Sequence, residues 1–177
     1  MSIWWLGDYT YFGTTSAILN GASAWGPVIV CGVLGGVLGG IFSQVLIFVS
    51  RGIPGKLGIF AKANPVMFAA ICGFMLAVIG ALSGSTTYGT GYHEARSILE
   101  GSGDIPESFG ILKLLATLIS YISGIPGGVF APSLAVGAGL GQNIAQMMPY
   151  APLGAVVVLG MVAYFAGVVQ APVTAFV

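Results

Sequence analysis

Ser123-Gly124-Ile125-Pro126-Gly127-Gly128-Val129-Phe130-Ala131-Pro132 is the stretch on which the fold turns. Pro126 has no N–H, and its ring clashes with the carbonyl of the turn before it, so no continuous helix runs through this segment. Apolar sequence flanks it on both sides, from Phe109 to Ser123 and from Phe130 to Met148. The first run is too short to cross a bilayer alone, because a hydrocarbon core of ~30 Å needs ~20 residues at ~1.5 Å per residue. Irregular backbone at membrane depth is tolerated only where protein buries it or where it lines a watery cavity. A short helix, a Gly/Pro break and a restarting helix together point to the binding site of a transporter.

The remainder of the chain supports a membrane setting. Of its 177 residues, 56% are hydrophobic and 6% charged, and its mean hydropathy is +0.99. Five Lys and Arg offset five Asp and Glu. So few charges cannot keep a compact body soluble and free of apolar patches, which excludes a soluble enzyme, a nucleic-acid binder and a disordered tail. At ~150 residues per domain, the length predicts one membrane domain over residues 1–177. No charge falls between Asp8 and Arg51, between Lys62 and Glu94, or after Lys113.

These gaps locate the spans. Trp25 to Ser50 is a first span, bounded by Arg51, with Pro27 in its first turn where a missing N–H does no harm. Gly32, Gly35, Gly36, Gly39 and Gly40 give it two overlapping GxxxG spacings, which predict close helix packing. Pro65 to Ser83 is a second span, and Leu153 to Val169 another beyond a turn at Pro149 to Pro152. Ala171-Pro172 opens one more helix, and the chain stops at Val177 within its first turn or two, which reads as a truncated sequence. Three of the five basic residues, Arg51, Lys56 and Lys62, share one loop, which the positive-inside rule places in the cytoplasm. Thr86 to Glu107, with His93 and every acid except Asp8, is then external. Met1 to Tyr11 lacks a basic leader region and is read as uncleaved. The fold class is all-α integral membrane, a multi-helix bundle with broken, re-entrant helices.

Catalytic chemistry has no visible basis. One His and five scattered carboxylates form no triad, metal cage or paired-acid site, so neither a metal nor another cofactor is expected. Cys31 and Cys72 lie in apolar runs and read as small buried hydrophobes. Gly55-Lys56 is no phosphate loop, because Leu57 replaces the Ser or Thr and Ser50 the first glycine. Gly137, Gly139 and Gly141 read as packing glycines, and His93-Glu94 as a solvated pair. The break itself supports different chemistry. A helix restarting near Phe130 leaves the N–H groups of Gly128, Val129, Phe130 and Ala131 unbonded, while Pro132 suits its first turn. Those groups and a helix N-terminus worth roughly half a positive charge make an anion site without a cationic side chain. Gly127 and Gly128 let an anion approach the backbone, and Phe130 gives it an apolar wall. The same residues also fit a plain proline hinge in a helix bundle.

Ser123 to Ala135 resembles the GxFxP signature of the CLC family of chloride channels and proton/chloride antiporters, with Gly128-Val129-Phe130-Ala131-Pro132 a full match. Gln170-Ala171-Pro172-Val173-Thr174 resembles a second family segment. The resemblance implies two inverted repeats, of which this chain holds the tail of the first and most of the second, without the final helices. It implies chloride as the transported substrate, bound by the N–H groups of Val129 and Phe130 with the Phe130 ring beside it. The family's serine segment GSGIP and gating segment GxEGP have no counterpart here. Gly101-Ser102-Gly103-Asp104-Ile105-Pro106 mimics the former but is interrupted by Asp104 and reads as a loop or helix cap. The family's inner tyrosine would come from beyond Val177. Channel and antiporter modes therefore stay open, as do a fluoride or nitrate carrier and a transport-incompetent membrane fragment.

Overall fold

The computed structural model describes residues 15, 17, 24–103, 105–125 and 127–171. Among them every regular element is an α-helix: α1 (Trp25–Ser50), α2 (Gly55–Ala63), α3 (Pro65–Leu82), α4 (Tyr92–Glu100), α5 (Phe109–Ile122), α6 (Phe130–Met147) and α7 (Leu153–Val169). The architecture is the expected all-α bundle with a broken helix pair. Met1 to Tyr11, Asp104, Pro126 and the stretch from Pro172 to Val177 lie outside the described residues.

Helix limits follow local chemistry. α1 ends where the charge gap ends, and the Arg51 N–H closes its last turn on Ile47 O at 3.2 Å. α3 opens on Pro65, whose missing N–H and fixed φ suit a first helical position. α7 follows Pro152 and closes on Gln170, a left-handed residue at φ 56° whose N–H reaches Ala166 O at 2.8 Å. α1 and α3 are long and apolar enough to cross a membrane, while α5 and α7 are apolar but shorter. Large apolar side chains such as Val33 on α1 and Val66, Phe74 and Leu82 on α3 face outward. Hydrocarbon, not water, is the natural neighbour of such a surface.

The core forms around α7, which packs between α1 and α6. Tyr164 of α7 is fully buried with Phe42 of α1 and Val136 of α6, and its ring centroid lies 6.1 Å from that of Phe42. Small residues set how closely the helices approach. A methyl group at Gly35 would lie 2.7 Å from Ala163 Cβ and 2.8 Å from Tyr164 N, and one at Gly39 would collide with Tyr164 O. Gly32, Gly36 and Gly40, by contrast, have open space where a side chain would stand. Only one of the two GxxxG rows therefore seats the α1–α7 contact through its side-chain face. Gly137 and Gly141 of α6 meet Met161 and Val157 backbone on α7, and Gly139 meets Gly110 of α5, so these three are packing glycines as expected.

Two elements were not foreseen. The basic loop contains α2, a nine-residue helix in which only Gly58 is buried, packed under the Ile53 carbonyl. The polar segment before Phe109 contains α4, which buries Ala95, Ile98 and Leu99 against α6 and α7. Three apolar positions at helical spacing within a charged segment were the available sign. His93 stays exposed on this helix, and Arg96 Nε donates to Glu100 Oε1 at 2.8 Å on its outer face. Gly101, at φ 65°, ends α4, and Ser102 N–H bonds Ser97 O at 3.0 Å. The Gly101-Ser102-Gly103 run is thus a helix C-cap. Cys31 and Cys72 are both buried and free.

Candidate functional site

The break between α5 and α6 is built by ordinary end chemistry. Ser123 N–H reaches Ile119 O at 3.0 Å, and Ser123 Oγ donates to Ser120 O at 2.6 Å. Gly124 then turns the chain in the left-handed region at φ 79°, which a residue without Cβ adopts at no steric cost. Val129 is the N-cap of α6 at φ −92°, and the first helical bond runs from Ser133 N–H to Val129 O at 3.0 Å. The N–H groups of Gly128, Val129, Phe130 and Ala131 have no acceptor among the described residues, and Pro132 has no N–H. No acidic residue occupies the first turn of α6. The positive end of its dipole is therefore not offset locally.

A half-open cavity of about 200 Å³ adjoins this break. At ~30 Å³ per water it has room for a small ion with part of its hydration shell. Gly127, Gly128, Val129 and Pro132 line it from the break, Lys113, Thr117 and Tyr121 from α5, and Thr87 and Gly89 from the turn before α4. Of the six residues singled out from sequence, four thus share one cavity. Phe130 and Ala131 are not among its lining. The Phe130 ring is 59% exposed and stands edge-on to Phe165 of α7, with centroids 4.7 Å apart and planes at 75°.

Lys113 is the residue that the motif reading passed over. Its side chain is 2% exposed, and Nζ donates to Thr87 O at 2.8 Å and Gly89 O at 2.7 Å. Thr117 Oγ1 donates to Lys113 O at 2.7 Å within the helix. The turn that Lys113 holds is itself tied together. Ser83 Oγ and Thr87 Oγ1 lie 2.9 Å apart, and Thr86 Oγ1 donates to Ser83 O at 2.9 Å. The signal was present in the sequence, since a lone ionisable residue inside an apolar helix is a functional candidate by default. Among the described residues no cluster of His, Cys, Asp and Glu could hold a metal ion.

Comparison with known proteins bears on the family and the fold. Residues 1–177 match the profile of the family described as voltage gated chloride channel. Over 122 residues the chain is 32% identical to the voltage-gated ClC-type chloride channel ClcB of Citrobacter koseri, a stretch that is 68% of this chain and 28% of ClcB. Its fold is similar to that of a CLC-type fluoride/proton antiporter, with a TM-score of 0.74 and 23% identity, covering 93% of this chain and 40% of the antiporter chain. The chain spans well under half the length of either protein.

Proposed function

We propose, from the premise that this chain belongs to the voltage gated chloride channel family, that it forms one side of an anion pathway across a membrane. In this reading the N–H groups of Val129 and Phe130 hold chloride at the start of α6. One observation supports it above the others: four consecutive backbone N–H groups at a broken helix lack acceptors among the described residues. Each is a donor without a mobile proton, and the helix dipole adds attraction for negative charge. The first turn of α6 carries no cationic side chain. Binding is then strong enough to admit an anion and weak enough to release it, as conduction requires. Gly127 and Gly128 lack side chains, so the ion reaches the backbone, and Pro132 presents apolar surface beside it.

The wider reading follows the family. The chain is the tail of one membrane repeat and most of the next, acts as a transporter and not an enzyme, and needs no cofactor. It works as a homodimer in the cell membrane, crossing the bilayer several times with the Arg51 to Lys62 loop in the cytoplasm. Chloride is the substrate.

Flux of chloride, and in parallel fluoride, through liposomes containing the full-length polypeptide tests this. Val129→Pro deletes one N–H at a position whose φ of −92° lies near the range of proline and which gives up no helical bond. Gly128 precedes it, so the steric restriction before a proline falls on a residue without Cβ. A charge-assisted hydrogen bond is worth ~1.5–3 kcal/mol, so apparent anion affinity should drop about tenfold or more, while Val129→Ala leaves it intact. Unchanged flux in the Val129→Pro protein refutes the site.

A further inference from the structure

Lys113 lies in the second turn of α5, in a helix whose other residues are uncharged. Taking an ammonium out of water is strongly unfavourable unless polar groups replace its hydration. Two carbonyl oxygens do so, Thr87 O and Gly89 O, and they occupy two of its three N–H donors. Carbonyl oxygens carry partial charge only, so they solvate an ammonium without neutralising it. No carboxylate among the described residues lies within ion-pair distance of it, and Glu94 of α4 acts on it only through space from further away. The groups that hold Lys113 and those that form the helix break line the same cavity. Lys113 thus belongs to one wall, and the break, where the N–H groups of Gly128 and Val129 have no acceptor among the described residues, forms another.

We propose that Lys113 is the charge-bearing residue of an anion-holding chamber beside the start of α6, in which a small, partly hydrated monovalent anion rests between the ammonium and the Gly127–Val129 wall. This rests on the reading of the α6 N-terminus as an anion site and adds a second station to it. A strut that merely pinned the 83–91 turn would need donors and no charge. The chamber needs the charge, because its field raises the local anion concentration.

The experiment uses the full-length polypeptide in liposomes, with chloride concentration at half-maximal flux and the thermal unfolding midpoint as readouts. Lys113→Gln keeps two N–H donors for the two carbonyls and removes the charge. It should raise the half-maximal chloride concentration roughly tenfold while the unfolding midpoint stays near that of the parent. Lys113→Arg, which keeps the charge, should restore the parental chloride dependence. Where Lys113→Gln fails to fold, Thr117→Asp serves instead. It sets a carboxylate one turn along the same cavity wall, offsets the field, and should shift chloride dependence in the same direction. A folded Lys113→Gln or Thr117→Asp protein with unchanged chloride dependence overturns the chamber. If Val129→Pro still lowers anion affinity in that case, the site at α6 stands without it. If Val129→Pro is also silent, the reading of α6 itself falls.

Discussion

Gly39→Ala isolates the contact that holds α1 to α7. In the structure, a methyl group on Gly39 collides with Tyr164 O and comes within 2.9 Å of Val168 N and 3.0 Å of Gly167 C. All three are main-chain atoms of α7, so no rotamer change relieves the clash, and the two helices must separate along their seam. That seam includes the fully buried Tyr164 and its neighbour Phe42, so separation loosens packing beyond the glycine itself. Overpacking of this kind costs ~1–3 kcal/mol, and a clash with backbone belongs at the upper end. Gly40→Ala is the internal control, because a side chain there meets nothing within 4 Å. It also exchanges glycine for the best helix former, a gain of up to ~1 kcal/mol. Thermal unfolding of the two variants in detergent, followed by helical circular dichroism or by loss of the monodisperse peak, measures the difference. The expected order is Gly40→Ala at or above the parent and Gly39→Ala clearly below it. Equal midpoints for the two variants, or Gly40→Ala as the weaker one, would refute the assignment of the packing face.

Two further outcomes follow from the same geometry. Gly91→Ala combines a left-handed φ of 77° with contacts at 2.7 Å to Ala135 Cβ and 2.9 Å to Lys113 Cε. It should lower stability by at least ~1–2 kcal/mol and weaken chloride binding by displacing Lys113, both readable by titration and melting of one sample. Phe130→Ala and Phe165→Ala, taken singly and together, should show a coupling of ~0.5–1.5 kcal/mol for the edge-on ring pair, and additive effects would argue that the pair does not form.

The positions where helices stop were legible because each depends on one or two residues. Arg51 cannot enter hydrocarbon cheaply, Pro65 and Pro152 suit helix starts, and Ser123 to Pro132 cannot sustain a helix. The donor set at the start of α6 was legible for the same reason, since a restarting helix must leave its first N–H groups free. Four of the six residues named from this segment line one cavity, whereas the Phe130 ring turns to Phe165, a partner in a helix that the motif does not contain.

The sequence by itself determined the class of protein, the run of apolar helices and the break that leaves the first N–H groups of α6 without helical partners. These are consequences of composition, of proline's missing N–H and of backbone bonding, all local. Tertiary structure alone decided which faces meet. α1 is apolar all round, so its sequence contains no stripe to mark the buried side, and the choice of Gly35 and Gly39 over Gly32 and Gly40 required α7, more than a hundred residues away. It likewise decided what Lys113 does. One charge in an apolar helix signals a role, but the carbonyls that receive it and the cavity it faces come from a turn some 24–26 residues earlier and a loop beyond the helix end. Local constraints act through the chain, whereas burial depends on the partner that the fold brings to each surface.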